Sequence, residues 1–306
     1  MAGPSVATIL VLGIQFRTWL GGVLSGQGST ILIMPIYQAV VLAIVQGFTE
    51  FLPISSSAHL FLVPWLLGWP DQGLDFDIAL HIGTLIAVLV YFFQDWLQIV
   101  SQAVGIDYGK DPELKQSPKL LWYLMLASVP AGLIGLKFKD QIETTLRSPF
   151  VMGTMLILIG GLLWVAERYT RRVKHIGELT LTDTLMIGTS QALALVPGTS
   201  RSGITISTGL FRGLTHSAAA RFSFLLSTPI VAASGLKSVY DLSKQGVSEG
   251  MLAPFLIGIG GSALVGIAVI AFFLKVIRKH GLAPFIAYRI IFGIIVIALA
   301  FVRSRG

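Results

Sequence analysis

Long apolar runs alternate with short polar stretches along almost the whole chain. A membrane-spanning helix requires about 20 mostly apolar residues, the length that crosses the hydrocarbon core of a bilayer. Six runs have this length and carry few charges, so we predict six transmembrane helices. The predicted spans are residues 75–93, 118–137, 149–167, 217–236, 251–274 and 284–302.

Two more apolar stretches, residues 36–68 and 184–214, are interrupted near their centres. Pro53 and three consecutive serines break the first, and Pro197-Gly198 with the sequence S-R-S-G breaks the second. Proline and glycine interrupt a helix, and inside a bilayer the freed backbone groups must be satisfied by protein or trapped water. We therefore predict two re-entrant helical hairpins, each made of two half-helices that meet at a loop within the membrane.

The two halves of the chain resemble each other. Pro53 and Pro197, each followed by serines, lie 144 positions apart. Each half contains one hairpin and three spans, so the second copy must be inverted relative to the first. The predicted fold is therefore an all-α integral membrane protein with six transmembrane helices and two re-entrant helical hairpins in an inverted-topology repeat. Such folds place a binding site near the midplane, where the broken helices meet.

The repeat also defines the predicted domain organisation. A single membrane domain covers residues 34–302, with repeat one at about 34–167 and repeat two at about 184–302, and a basic tail follows at 303–306. Residues 1–33 contain an apolar stretch without a counterpart in the repeat. They lack the basic start and cleavage site of a signal peptide, so we interpret them as an N-terminal extension. This extension is either an extra helix or a segment upstream of a natural start at Met34.

Composition supports a membrane protein and argues against several other classes. Apolar residues make up 54% of the 306 residues, and the mean hydropathy is +0.80. Charged residues make up 12%, about half the ~25% that is usual in globular proteins. A water-soluble enzyme and a disordered chain are therefore not expected. With no cysteine in the chain, thiol catalysis, disulfides and cysteine-bound metals are excluded.

The net charge of +7 reflects membrane topology rather than binding to nucleic acid, because the basic residues lie mostly in the gaps between apolar runs. We expect no nucleic-acid partner. One predicted side carries ten basic residues and the other carries seven, so the positive-inside rule makes the first side cytoplasmic. The ten are Lys110, Lys115, Lys119, Arg168, Arg171, Arg172, Lys174, Lys275, Arg278 and Lys279, and the seven are Lys137, Lys139, Arg147, Lys237, Lys244, Arg303 and Arg305.

Polar residues inside the apolar segments are candidates for function, since a charge within a bilayer is costly unless it is paired or used. In the first break, Gln46 and Glu50 are four residues apart and therefore lie on one helix face. The run Ser55-Ser56-Ser57 opens the second half-helix, whose N-terminus attracts phosphate. His59 lies one turn after Ser56, close enough to exchange a proton with an attacked or leaving oxygen.

The second break supplies Ser200-Arg201-Ser202-Gly203 and Thr205. A guanidinium flanked by hydroxyls, on a turn before a helix, suits bidentate binding of phosphate. Other interpretations stay open, because the serines can simply cap a helix, and Glu50 and Arg201 can form an ion pair that only joins the hairpins. For four further polar residues in apolar segments we favour a structural role. These are Asp77, His81, Arg221 and Arg289.

The two breaks resemble the signatures of a known family. The sequences Q-G-F-T-E-F-L-P-I-S-S-S-A-H at 46–59 and P-G-T-S-R-S-G-I-T at 197–205 look like those of the undecaprenyl-diphosphate phosphatase family, also known as the bacitracin-resistance protein. The resemblance covers about 34–302. It implies a multi-pass enzyme of the bacterial cytoplasmic (inner) membrane that hydrolyses undecaprenyl diphosphate to undecaprenyl phosphate and inorganic phosphate. Its active site would open to the periplasmic side.

The resemblance, combined with the pattern at the breaks, assigns roles to individual residues. The predicted catalytic residues are Ser56, His59, Glu50 and Arg201, and the predicted substrate-binding residues are Ser55, Ser57, Ser200, Ser202 and Thr205. Glu50 and Gln46 would hold a divalent cation, Mg²⁺ or Ca²⁺. Many members of the family have an acid where this chain has Gln46, which leaves one less negative charge for the cation.

The expected substrate is a long-chain polyprenyl diphosphate lipid in a phospholipid bilayer, and its hydrolysis would recycle the carrier of cell-wall synthesis and confer bacitracin resistance. We expect Ser56 to attack the terminal phosphorus with help from His59 or Glu50. His59 or a water molecule is the alternative nucleophile. A polyprenyl-phosphate transporter or flippase is the alternative function, since inverted repeats with broken helices are common in transporters. Homo-oligomerisation stays open.

Overall fold

The computed structural model describes residues 34–245 and 250–305, so the N-terminal extension at 1–33 lies outside the described residues. The described chain folds into α-helices joined by short connections. In chain order they are α1 (Ile36–Thr49), α2 (Ser56–Leu67), α3 (Leu74–Tyr91), α4 (Phe93–Ala103), α5 (Pro112–Lys115), α6 (Leu120–Thr145), α7 (Pro149–Tyr169), α8 (Leu181–Gln191), α9 (Arg201–Phe211), α10 (His216–Gln245), α11 (Leu252–His280) and α12 (Ala283–Arg303).

Six helices of the described chain are long and apolar enough to cross a membrane, namely α3, α6, α7, α10, α11 and α12. Each coincides with one predicted span, and α6 and α10 continue several residues further than predicted. The prediction of an all-α membrane protein with six transmembrane helices is confirmed. Arg303, which the sequence analysis placed in a basic tail, belongs to α12. Its guanidinium donates to the carbonyl oxygen of Trp65 at 2.7 Å and so ties the end of α12 to α2.

The sequence did not predict the two short helices α4 and α5, because neither contains an apolar run of spanning length. Only Gln98 and Ile99 of α4 are buried. This short helix therefore lacks the long apolar run by which a spanning helix is recognised in the sequence. Arg221 of α10 anchors this region through ion pairs with Asp95 at 2.6 Å and Asp111 at 2.8 Å. Partial burial alone would raise the pKa of Asp111, but the adjacent guanidinium lowers it below its usual value. These contacts agree with the structural role favoured for Arg221.

Both interrupted stretches form two helices separated by a break, as predicted. The first stretch begins and ends at the same end of the bundle, because Tyr37 in α1 packs edge-on against Trp69 just after α2, with ring centroids 5.6 Å apart. The second stretch does the same, because Asp183 in the first turn of α8 forms a 2.7 Å ion pair with Arg212 just after α9. Re-entrant placement in a bilayer requires this geometry and stays a prediction.

The two stretches approach from opposite ends of the bundle. From the end of α2, the chain enters α3, whose 18 residues span roughly 27 Å before α4 begins. At that far end, Asp95 of α4 contacts Arg221 in the second turn of α10, and α10 follows α9 after only residues 212–215. The arrangement is the one that an inverted repeat needs. The repeat itself, and its boundaries at 34–167 and 184–302, stay predictions.

Equivalent serines cap the helix that follows each break. Ser55 and Ser200 have positive φ angles of 77° and 73°, and they are the two non-glycine residues with positive φ in the described chain. Their hydroxyls accept hydrogen bonds from Ala58 N at 3.4 Å and Gly203 N at 3.0 Å. A left-handed conformation costs a residue other than glycine on the order of 1–3 kcal/mol, so the surrounding structure must enforce both turns.

A single buried arginine, Arg289 of α12, joins the two breaks. Its side chain is fully buried, and its guanidinium donates to Pro53 O at 2.9 Å in the first break. In the second break it donates to Gly198 O and Thr199 O, both at 3.0 Å. Its remaining hydrogen bonds go to backbone carbonyls of α7. These contacts agree with the structural role favoured for Arg289.

The apolar core packs directly against the first break. The ring of Phe51, which lies in that break, is fully buried and contacts Phe224 of α10 at a centroid distance of 5.3 Å. Phe224 contacts Phe273 of α11 at 5.8 Å, and Phe273 contacts Phe285 of α12 at 5.1 Å. This aromatic row fixes the first break against three spanning helices.

We expect Arg289→Lys to destabilise the protein by more than ~3 kcal/mol, because an ammonium lacks the planar fork and leaves several buried carbonyls unpaired at about 1–3 kcal/mol each. Thermal unfolding in detergent measures the change. The matched control is Arg278→Lys on α11, where an exposed guanidinium donates to Leu274 O alone at 3.0 Å. Equal Tm values for both variants would contradict the bridging role.

Candidate active site

Glu50, which directly follows α1, is the centre of a polar cluster that joins the two breaks. Its carboxylate is buried, with 7% of the side chain exposed. Arg201, the first residue of α9, donates to Oε1 at 2.8 Å. Ser56, the first residue of α2, donates to Oε2 at 2.6 Å, and the amide of Gln46 donates to the same oxygen at 3.1 Å. Glu50, Ser56 and Arg201 therefore meet at one place, together with Gln46. The sequence predicts that His59 joins the first three in one polar chamber.

Arg201 is held by more than its ion pair. Its Nη1 donates to Ser223 O of α10 at 2.7 Å, while Nη2 faces Glu50. Thr205 lies one turn later and shares a 2.7 Å hydrogen bond with the Ser223 hydroxyl. The guanidinium is therefore oriented by α10, and the break alone does not set its direction.

His59 does not point toward Ser56. Its Nδ1 donates to Ser55 O at 2.7 Å, and its Nε2 contacts the hydroxyl of Tyr288 at 2.7 Å. The ring also stacks on Phe292 of α12, with centroids 4.9 Å apart. Both ring nitrogens are therefore occupied by other partners, and Glu50, rather than His59, accepts the hydrogen bond from the Ser56 hydroxyl. The catalytic role of His59 stays a prediction.

His81, for which the sequence favours a structural role, lies beside the cluster, a position that the sequence analysis did not predict. It lies on α3, and its Nε2 is 3.6 Å from Glu50 Oε2. Its Nδ1 contacts Asp77 O one turn earlier at 2.7 Å. In the sequence, the imidazole of His81 follows the carboxylate of Asp77 by one helical turn within an apolar run, and this was the pattern that could have indicated the site. Nothing in that pattern shows that α3 packs beside the first break.

The remaining predicted hydroxyls brace the breaks. Ser202 donates to Leu52 O at 3.0 Å, which connects the second break to the first. Thr205 donates to Arg201 O at 2.8 Å. Ser57 accepts from Gly198 N at 3.4 Å, and Ser55 and Ser200 cap their helices as described above. Their predicted contacts with substrate stay predictions, since each hydroxyl already has a partner within the protein.

A cavity of about 240 Å³ lies beside this cluster. Ser57, Asp77, His81 and Arg147 supply its polar lining, and residues such as Leu195 and Pro197 of the second break supply part of its apolar lining. Pockets for drug-sized ligands usually measure about 300–1,000 Å³, so this one fits a small polar headgroup rather than a long tail. His81 connects the cavity to Glu50.

The donor set fits a divalent cation only if a ligand contributes oxygens. No group of three or more His, Asp or Glu side chains with metal-binding geometry occurs among the described residues. However, Gln46 Oε1 is buried and has no hydrogen-bond partner, although Gln46 Nε2 binds Glu50. Mg²⁺ typically takes one or two carboxylates and completes its shell with water and phosphate oxygens. Glu50 and the free amide oxygen of Gln46 match that pattern.

This arrangement is suited to phosphoryl transfer. A hydroxyl is a weak nucleophile unless a base accepts its proton, and Ser56 already donates to a carboxylate. A guanidinium beside that carboxylate stabilises negative charge on phosphate oxygens. Catalysis of this kind depends on positioning and on electrostatic stabilisation of the transferred group.

Comparison with known proteins agrees with this chemistry. Residues 39–295 match the family model described as Bacitracin resistance protein BacA. A relative from Desulforudis audaxviator, named Undecaprenyl-diphosphatase, is 45% identical over 272 residues, which cover 88% of this chain and 99% of the relative. A relative of the same name from Pelobacter propionicus is 47% identical over 276 residues, which cover 89% of this chain and 100% of the relative.

A third relative of that name, from Teredinibacter turnerae, is 47% identical over 262 residues, which cover 86% of this chain and 98% of the relative. The matched region contains both breaks, the polar cluster at Glu50 and the aromatic core. The chain therefore belongs to the BacA family of bacitracin resistance proteins.

Proposed function

We propose that this protein is an undecaprenyl-diphosphate phosphatase, which hydrolyses undecaprenyl diphosphate to undecaprenyl phosphate and inorganic phosphate. The observation that carries the proposal is the contact of Ser56, Glu50 and Arg201 at the meeting point of two helix breaks, in a chain of the BacA family. Release of the lipid monophosphate would return a carrier to cell-wall synthesis and confer resistance to bacitracin. The relatives are named for the hydrolase, and nothing in their names supports the transporter alternative.

In the proposed reaction, the Ser56 oxygen attacks the terminal phosphorus and its proton passes to Glu50. The bond from that phosphorus to the bridging oxygen breaks, and the lipid monophosphate leaves with the electron pair. Water then attacks the phosphoserine, which restores the Ser56 hydroxyl and releases inorganic phosphate. Arg201 stabilises the negative charge on the transferred group in both steps.

The two histidines have different proposed tasks. His81, which is 3.6 Å from Glu50, is placed to exchange a proton with the carboxylate or with the leaving phosphate. His59 is held by Ser55 O and Tyr288, so in this conformation it fixes the turn from which Ser56 projects. A direct role for His59 would require its ring to leave Tyr288.

A divalent cation, Mg²⁺ or Ca²⁺, would be held by Glu50 and Gln46 together with oxygens of the diphosphate. Support comes from the unpartnered Gln46 Oε1 next to Glu50, the carboxylate that Ser56 and Arg201 contact. When bound, the cation would neutralise phosphate charge. Gln46 and Glu50 then act by orienting the headgroup toward Ser56.

The proposed location is the bacterial cytoplasmic membrane, with the site open to the periplasmic side. Arg147 lines the cavity and lies on the side with seven basic residues, whereas ten lie on the other side. The side richer in basic residues is normally cytoplasmic. The cavity would therefore face outward.

We expect the purified protein in detergent to release inorganic phosphate from a long-chain isoprenyl diphosphate. Arg201→Ala or Glu50→Gln should lower kcat by at least roughly 10²–10³-fold, because each removes stabilisation or proton acceptance at the reacting group. The controls are Arg278→Ala and Glu113→Gln, which alter the same residue types far from the cluster. Release of phosphate at equal rates by wild type and Arg201→Ala would contradict the proposal and would reopen transport.

We also expect Ser56→Ala to abolish turnover, while Ser57→Ala retains part of it, because Ser56 alone of the two donates to Glu50. Rapid acid quench followed by peptide mass spectrometry should locate a phosphate on Ser56. A phosphate found on His59 would instead indicate that His59 is the nucleophile. Full turnover without a burst phase in Ser56→Ala would indicate one of the alternative nucleophiles, His59 or water.

The variant Gln46→Glu tests the cation. A second carboxylate in this position should lower the Mg²⁺ concentration for half-maximal phosphate release by about tenfold, because charge on the ligands raises the affinity for a hard cation. The control is Gln38→Glu, two turns earlier on α1 and also buried. An unchanged Mg²⁺ dependence in Gln46→Glu, or full activity with chelator, would argue against a cation held by Gln46 and Glu50.

A further inference from the structure

Arg147 lines the cavity next to the proposed active site, and none of the proposed reaction steps involves it. It lies in the short connection between α6 and α7, one residue before Ser148, whose hydroxyl caps α7 by accepting from Val151 N at 3.2 Å. This cap fixes the backbone beside Arg147. Among the described residues that line the cavity, Arg147 is the single lysine or arginine.

The guanidinium of Arg147 lies over the Phe61 ring, 5.8 Å from its centroid, and its ion pairs are long. Its Nη2 is 3.3 Å from Asp71 Oδ2 and 3.7 Å from Asp77 Oδ2, and the side chain is 28% exposed. The other carboxylate oxygen of Asp77 accepts a much shorter hydrogen bond, 2.7 Å, from Gln72. Neither pairing of Arg147 has the short, parallel geometry of a bidentate arginine–carboxylate bond. An incoming phosphate can therefore replace Asp77 as its partner.

A divalent cation held by Glu50 and Gln46 would offset about two of the negative charges of a lipid diphosphate, which leaves a need for one more positive charge. Arg201 is already neutralised by Glu50 at 2.8 Å, so this pair contributes no net charge. A lipid diphosphate carries about −2 on its terminal phosphate and a further charge on the inner phosphate. The terminal phosphate must lie near Ser56 and Arg201. The cavity that Ser57, His81 and Arg147 line adjoins this position and is the space next to it that is open to the inner phosphate.

We propose that Arg147 binds the inner, lipid-linked phosphate and thereby makes the site prefer a diphosphate to a monophosphate. This inference rests on the proposed function, and it adds a specificity-determining residue for that reaction. Asp71 and Asp77 together hold the guanidinium in the absence of substrate, and Asp77, which lines the cavity, competes with the inner phosphate for it. A monophosphate that takes the position of the terminal phosphate at Arg201 has no inner phosphate to offer Arg147, so it should gain less from this residue.

Substitutions of Arg147 and Asp77 should have opposite effects. The probe is a methylene-bridged isoprenyl diphosphate, which resists cleavage at the bridge, and the comparison ligand is the corresponding monophosphate. Arg147→Ala should raise the Kd of the diphosphate by about tenfold or more and that of the monophosphate by less than about twofold, as expected for a lost hydrogen bond between charged groups. Arg147→Lys should give an intermediate value. Asp77→Asn should lower the Kd of the diphosphate several-fold.

The control is Lys137→Ala, which removes an exposed cation of the same side that contacts Phe138 and does not line the cavity. It should leave both Kd values unchanged. If Arg147 served only to stabilise the fold through Asp77, both Arg147→Ala and Asp77→Asn would lower Tm. Each would then change the Kd of the diphosphate and the Kd of the monophosphate by the same factor, which would overturn the proposal. So would equal loss of affinity for the two ligands in Arg147→Ala.

Binding and turnover separate this inference from the proposed function. If wild type binds the methylene-bridged diphosphate with the expected dependence on Arg147 but releases no phosphate from the natural ester, the specificity proposal stands and the hydrolase proposal fails. If wild type releases phosphate and Arg147→Ala retains both its KM and its Kd for the diphosphate, the hydrolase proposal stands and Arg147 is excluded. Should Arg147→Ala fail to fold, Arg147→Lys and Asp77→Asn still distinguish the outcomes by their opposite signs.

Discussion

The buried guanidinium of Arg289 holds together the two helix breaks from which the site is built. Each break frees backbone carbonyls in an apolar setting, where an unpaired carbonyl costs about 1–3 kcal/mol. Arg289 donates to Pro53 O in one break and to Gly198 O and Thr199 O in the other. Because one rigid guanidinium satisfies carbonyls of both breaks, a shift of either break would leave buried carbonyls without a hydrogen-bond donor. Arg289 therefore fixes the two breaks relative to each other, while other contacts, such as that of Arg201 with Ser223 O, set the direction of individual side chains.

The two breaks have similar backbones but supply different chemistry. In each, a serine with positive φ caps the following helix. The first residue of the helix is Ser56 in one case and Arg201 in the other, and both contact Glu50. Similar turns that face each other therefore bring a nucleophile and a phosphate-binding cation to one carboxylate. The ion pair between Glu50 and Arg201 also joins the breaks, so its structural and catalytic roles are compatible.

In the resting state each arginine of the site has a carboxylate partner, which shapes how the site can bind a charged headgroup. Arg201 is matched by Glu50, and Arg147 is loosely matched by Asp71 and Asp77. An arginine that is paired with a nearby carboxylate can be buried in the membrane interior at a lower free-energy cost than an unpaired one. Substrate phosphate can then exchange with these carboxylates, and both Arg147 and Arg201 have a carboxylate partner before substrate arrives.

The sequence by itself determined the six spans, the two breaks and the meeting of Glu50, Ser56 and Arg201 as a hypothesis, because apolar length and helix-breaking residues act locally. It did not reveal that His59 turns toward Tyr288, that His81 approaches Glu50, or that Arg289 bridges the breaks. The partners of these three side chains lie between 31 and 236 positions away in the chain, as for His81 with Glu50 and Arg289 with Pro53. Only the packing of α3 and α12 against the breaks decides such contacts, since no local pattern encodes which helix becomes a neighbour.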